Sequence, residues 1–185
     1  MKKILMLLAF CGLTFIATSQ NASVEKSTYG IQTGLLGIWI HNESKLSNQI
    51  ALRSELGLDT GIYGSDVNNE FLIAPTITVE PRWHYNLNKR ERKSRRIDGN
   101  SGNFISIKAT YHPDLFVISS EADINFISDI TLVPTWGIRR NVGNHFTYET
   151  GFGIGYVHYL KEDNVILLNE SDVAVNLHVR IGYRF

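Results

Sequence analysis

Apolar and polar residues alternate with a period of two over long stretches of this chain. In the segment 172–185, Val173, Val175, Leu177, Val179, Ile181, Tyr183 and Phe185 take one face, and Ala174, Asn176, His178, Arg180, Gly182 and Arg184 take the other. In 145–160, Phe146, Tyr148, Phe152, Ile154, Tyr156 and Leu160 oppose His145, Thr147, Glu149, Gly151, Gly153 and Gly155. In 71–87, Phe71, Ile73, Ile77, Val79, Trp83, Tyr85 and Leu87 oppose Thr76, Thr78, Glu80, Arg82, His84 and Asn86. Successive side chains of a strand point to opposite faces, so this period predicts strands with one apolar face. Ordinary strands run about 5–6 residues. These run well beyond that, with full charges on the polar face and hardly any helical period to cover a sheet.

The alternation predicts eight strands, over 29–41, 49–62, 71–87, 103–112, 114–120, 125–140, 145–160 and 172–185. The fifth, DLFVISS, is the shortest; without it seven strands remain and the connection 88–102 falls on the opposite side. Pro113 marks a tight turn before this strand, and Asn141–Asn144 marks another. Pro75, Pro81 and Pro134 each lack a ladder donor and imply bulges or gaps. Strands of about 9–11 residues with an apolar outer band are what a closed antiparallel barrel needs to cross a bilayer. The fold expected is therefore all-β, an antiparallel up-and-down transmembrane β-barrel.

Composition adds the compartment. MKKILMLLAFCGLTFIATSQ has two lysines, an apolar run and small residues before Gln20, the three parts of a secretory signal peptide over 1–19. Residues 20–28 then form a short lead and 29–185 the barrel. The single cysteine, Cys11, lies in the apolar run behind bulky Phe10, where an acylated cysteine would want a small residue. No disulfide chemistry is then expected of the mature chain. Eighteen basic and eighteen acidic side chains balance, so no overall field selects nucleic acid. No stretch beyond the N-terminus is apolar for long enough to predict a membrane helix.

The leader, the repeated alternation and the final RIGYRF, with aromatics at Tyr183 and Phe185, resemble the small outer-membrane β-barrels of Gram-negative bacteria, the architecture of outer-membrane protein A. The resemblance implies an outer-membrane location, a monomer, and contact with membrane lipid and lipopolysaccharide. It also implies that Tyr183 and Phe185 form the signal read by the outer-membrane assembly machinery. With both termini in the periplasm, Trp39, Trp83, Tyr85 and Tyr156 are expected at the outer rim. Tyr111, Trp136, Phe146, Tyr148, Tyr183 and Phe185 are expected at the periplasmic rim. Residues 88–102 are then expected outside the cell.

The inward face is expected to carry Arg53, Glu55, Asp59, Glu80, Arg82, Lys108, Asp129, Arg139, Glu149, Arg180 and Arg184, with His84 and His178. An eight-stranded barrel is just wide enough for side chains to fill. Charges there must pair, so five acids against six bases read as a structural ion network rather than a conducting lumen. Gly151, Gly153 and Gly155 are expected to leave room for Arg180. The segment 88–102 holds Lys89, Arg90, Arg92, Lys93, Arg95 and Arg96, a candidate contact for anionic lipid whose bland alternative is a solvated loop.

A rival reading is enzymatic. Some small outer-membrane barrels that this chain resembles are lipid A deacylases or acyltransferases with His and Ser on the wall near the outer rim. His158 is expected outward at that rim, but position 160 is Leu and Tyr159 points inward. His41 and Ser44 form a second loose pair. A Ser–His pair needs a third, orienting group, and no spacing guarantees one. No metal-ligand spacing or phosphate loop occurs, and GFGIGY has strand period, so no cofactor is expected. A soluble periplasmic β-domain is the third reading.

Overall fold

The computed structural model describes residues 22–63, 70–119, 126–160 and 170–185. The expected signal peptide lies outside the described residues. The strands are β1 (Ser27–Gly34), β2 (Gly37–Lys45), β3 (Ile50–Tyr63), β4 (Glu70–Trp83), β5 (Asn103–His112), the two-residue β6 (Ile118–Ser119), β7 (Asp129–Val142), β8 (Phe146–Tyr159) and β9 (Ser171–Arg184). Between β4 and β5 lie a short helix, α1 (Leu87–Arg92), and a 3-10 turn, Asp98–Asn100. Every pairing is antiparallel, the long strands follow chain order, and β9 closes on β1. Eight long strands therefore make a closed up-and-down barrel, with β6 paired to the far end of β4.

The count of eight survives through two offsetting differences. The expected first strand, 29–41, is a hairpin: Gly34 pairs with Gly37 around a two-residue turn at Leu35–Leu36. The expected fifth strand, 114–120, is reduced to Ile118–Ser119. The hairpin also swaps the faces. Cross-strand partners share a face, so even residues Gly30 and Gln32 sit opposite odd residues His41 and Trp39, all turned inward. Trp39 is therefore 4% exposed inside the lumen rather than at a rim, and His41 lies in the lumen rather than at a loop.

The ends change accordingly. Ser27, the 46–49 turn, α1, the 143–145 turn and Arg184 share one end, the terminal end. The basic segment 88–102 thus lies at the same end as both termini, contrary to the expectation that it faces away from them. Trp83 and Tyr85 also sit there, with ring centroids 6.0 Å apart, and Trp136 Nε1 donates to Tyr85 Oη at 2.9 Å. Tyr111 moves the other way, to the far end, where β5 finishes. Phe146, Tyr148, Tyr183 and Phe185 keep their expected place beside the termini.

The prolines interrupt the ladder without shifting it. The β4–β5 register skips Glu80 and Pro81 and resumes unchanged, and β7–β8 does the same at Val133 and Pro134. These are gaps and not bulges, because a missing N–H removes a bond while the pleat continues. The lead is no loose tail either: Ala22 and Val24 pack with Ala51 and Leu87 beneath the barrel, with Ile97 against them.

Candidate functional site

The lumen is the most heavily built part of the molecule. Four glutamates, Glu43, Glu55, Glu80 and Glu149, and four arginines, Arg53, Arg82, Arg139 and Arg180, project into it and are all buried. Arg82 makes a bidentate pair with Glu149, 2.8 Å at each oxygen, and a further bond to Glu80 at 2.7 Å. Arg53 donates to Glu43 at 2.9 Å, to Glu55 and to Gln32. Arg139 donates to Glu43, and Arg180 reaches Glu55 at 2.9 Å. Side-chain stacking adds to the fit, with the Arg82 guanidinium 4.2 Å above the Phe104 ring and that of Arg180 3.8 Å above Trp39.

Burying a lone charge is costly, and close pairing offsets that cost; the Nε atoms of Arg82, Arg139 and Arg180 are the donors left without a partner in these pairs. Four against four closes the charge sum, and bidentate geometry uses the planar guanidinium fork. Eight strands leave room for these side chains and little else. Gly151 shows how tight the fit is: a Cβ there would lie 2.7 Å from the His178 ring. The space expected for Arg180 is thus taken by His178, while Arg180 turns toward Glu55 and Trp39.

The residues expected in the lumen divide between its centre and its ends. Arg53, Glu55, Glu80, Arg82, Arg139, Glu149 and Arg180 lie together in one cluster. Asp59 and Asp129 pair instead with His112, at 3.3 and 2.9 Å. Arg184 lies at the terminal rim, bound to Glu25 at 2.8 Å and Asp98 at 3.5 Å. Lys108 makes no ion pair or hydrogen bond among the described residues. The centre of the network, Glu43, was missed because the expected first strand stopped at residue 41. The signal was present: Gly34-Leu-Leu-Gly37 is a turn, and an in-phase reading beyond it places Trp39, His41 and Glu43 on one face.

The terminal end is closed by residues 22–26 and 84–102. Asn100, fully buried, donates to Glu43 at 2.7 Å and accepts from the Glu25 amide at 2.8 Å, so the rim segment plugs directly into the ion network. Gly99 sits at φ 56°, with Arg184 and Asn141 against it, a conformation and a space that both favour glycine. Burial works to raise the Asp98 carboxyl, but hydrogen bonds from Arg96 and Asn141 and the charges of Arg96 and Arg184 hold it below its ordinary range. On the outer side of this end, Lys89, Arg90, Lys93, Arg95 and Arg140 surround a cavity of about 490 Å³ with Tyr85, Asn86 and Asn103. Arg90 is spent on the Arg96 carbonyl, at 3.0 and 2.7 Å, and Arg96 on Asp98 at 2.9 Å. Arg92 is exposed and lies outside this cavity.

At the far end His158 and Ser171 are register partners on β8 and β9, with Nδ1 3.4 Å from Oγ. Tyr156 also bonds Ser171 Oγ, and its ring stacks on His158. The sequence reading looked for a partner at position 160 and missed this one, because it comes from the neighbouring strand. Ser44 bonds Asn42 at 2.7 Å while His41 faces the lumen, so that pair does not form. Set against protein-family models, curated proteins and solved structures, the chain matches none.

Proposed function

We propose that this chain is a monomeric, non-conducting outer-membrane barrel with a structural or surface-interaction role. The observation that carries the reading is the neutral four-by-four ion network, stoppered at the terminal end by Asn100 and Leu87. Its outer face supports a lipid environment: Ile40, Leu56, Ile105, Leu132, Ile154 and Val175 are all 45% exposed or more, a band no soluble surface of this size would leave uncovered. The aromatic rings gathered at the terminal rim suit the membrane–water boundary. Tyr183 packs there between His145, Phe146 and Phe185, which presents the assembly signal proposed for Tyr183 and Phe185 as one aromatic cluster.

The basic cavity at that rim extends the reading to a partner. Lys89, Lys93 and Arg95 line a space bordered by Tyr85, with Arg140 held there on the Gly102 and Arg139 carbonyls and Asn103, which suits an anionic lipid phosphate. With both termini in the periplasm this is phosphate of the inner leaflet, not lipopolysaccharide at the cell surface. Two measurements test the proposal. Purified protein in planar bilayers should show no large steady conductance, and wide ion-selective channels would overturn the closed lumen. Trypsin should spare the bonds after Lys89 and Lys93 in intact cells and cut them once the outer membrane is opened; cutting in intact cells would reverse the orientation.

A second reading rests on the Ser171–His158 contact, which gives a lipid A-modifying activity a nucleophile and a base at the far rim. Among the described residues no carboxylate holds the second ring nitrogen of His158, the group a triad would need. Acyl release from lipopolysaccharide that disappears in Ser171→Ala would establish this reading over the first.

A further inference from the structure

Among the described residues the barrel wall is incomplete where β9 and β3 outrun the β1–β2 hairpin. The β1–β2 hairpin turns back at Leu35–Leu36, while the strands on either side continue toward the far end. β9 begins at Ser171 but meets β1 only from Arg180 onward, and β3 runs to Tyr63 although β2 stops opposite Asp59. Among the described residues no strand lies against the Ser171–Val179 edge of β9. Thr60 fixes the low position of the turn, its N–H donating to the Leu36 carbonyl at 2.8 Å. From β9 to β3 the gap spans three strand spacings, about 14 Å at about 4.8 Å each. An unpaired strand edge facing hydrocarbon is costly, so a gap here calls for polar occupants from behind it.

A cavity of about 170 Å³ lies behind this gap, and it is lined from both sides of the wall. Lys108, His178 and Arg180 border it from the lumen. Leu36, Val175 and Leu177, 53%, 70% and 68% exposed, border it from the outer face. Such a cavity opens sideways, from the lumen toward the lipid-facing surface.

Its unmet charged valences are donors, beside His178 Nε2, which lies 3.5 Å from Glu149 with no hydrogen bond. The acid on the cavity wall, Asp59, already accepts from Trp39 Nε1 and contacts His112. The Lys108 ammonium has no hydrogen bond and no ion pair among the described residues, and Glu55, Glu80 and Asp59 act on it only from a distance. Arg180 is bound to Glu55 through Nη1, but its buried Nε has no partner. Two nitrogen donors without partners beside one small cavity select an anion. The volume sets a limit: about 170 Å³ is roughly five or six liquid water volumes. It holds a compact carboxylate or phosphate but not a sugar-bearing headgroup, and any attached chain must stay outside along Leu36, Val175 and Leu177.

We propose that this gap is a side opening that binds the compact anionic head of an amphiphile at Lys108, with the acyl chain lying on the outer face of the barrel. This goes beyond the structural role proposed above and rests only on the outer face being lipid-covered. Radiolabelled laurate should bind the purified full chain in neutral-detergent micelles saturably, at one per barrel. Lys108→Met should weaken that binding about tenfold or more, and Lys108→Arg should retain it. Thr131→Asp, which sets a carboxylate on the same wall, should weaken it as well and serves if the first variant does not fold. Unlabelled dodecyl phosphate should compete with laurate, whereas methyl laurate and acetate at equal concentration should not. Undiminished binding in correctly folded Lys108→Met or Thr131→Asp, equal competition by methyl laurate, or no saturable binding at all would overturn the proposal. Equal competition by acetate would reduce the cavity to a simple anion pocket and overturn the amphiphile.

Discussion

The two halves of the lumen hold charge in different ways. Toward the terminal end, Glu43 is shared by Arg53, Arg82 and Arg139, Glu149 takes both arms of Arg82, and Asn100 rises from the rim to fill the remaining acceptor. Toward the far end, His112 is shared by two aspartates, Lys108 is unpaired, and a cavity reaches through the wall. Both halves are lined by the same kind of alternating strand. Among the described residues the difference is in what borders each: a plug of two segments below, and a short hairpin that leaves a gap above. A network in which every charge has an opposite partner gives rigidity, even with Arg82 Nε and Arg139 Nε left bare, whereas an unpaired cation beside a cavity is where a ligand finds something to bind.

The largest expected effect breaks the ion-paired half. Glu43→Ala leaves Arg139 with no acid nearer than Glu149 at 4.0 Å, and removes a partner from Arg53 and Arg82. Uncovering a buried charge costs about 3–5 kcal/mol, so the barrel should unfold at markedly lower denaturant, read by its heat-dependent gel mobility. A midpoint equal to the wild type would mean that the network does not hold the barrel together. Arg82→Ala should fall in the same range, because it strands Glu80 and Glu149 at once.

Lys108→Met sharpens the contrast by its sign. Removing an unpaired cation from the far half also removes its desolvation cost, so stability should change by less than about 1 kcal/mol or rise. A loss as large as that of Arg82→Ala would make the two halves equivalent.

The smallest effect concerns the plug. Asp98 is held below its ordinary carboxylate range, so its stabilising contribution is complete above about pH 4 and is lost as pH falls through the lowered folded value. Amide exchange at 98–102, corrected for its intrinsic rate, should show the plug opening more readily across that window. Asp98→Asn should lack the dependence, and an unchanged dependence in the variant would assign it to another group.

What the sequence determined by itself is local. Cβ direction alternates along a strand whatever surrounds it, so the period of two identified an all-β chain and sorted most side chains into inward and outward sets. The inward charges of β3, β4, β7, β8 and β9 were legible for that reason. Tertiary structure decided the rest, because it depends on phase and on distance. A two-residue turn at Leu35–Leu36 put Trp39, His41 and Glu43 of β2 inside and, by adding one reversal, brought the basic segment round to the termini. The pairing of Glu43 with Arg139, of Ser171 with His158, and of Asn100 with Glu43 joins residues far apart in the chain, set by which strands become neighbours when the sheet closes. Alternation states which way a side chain points; only closure states what it meets.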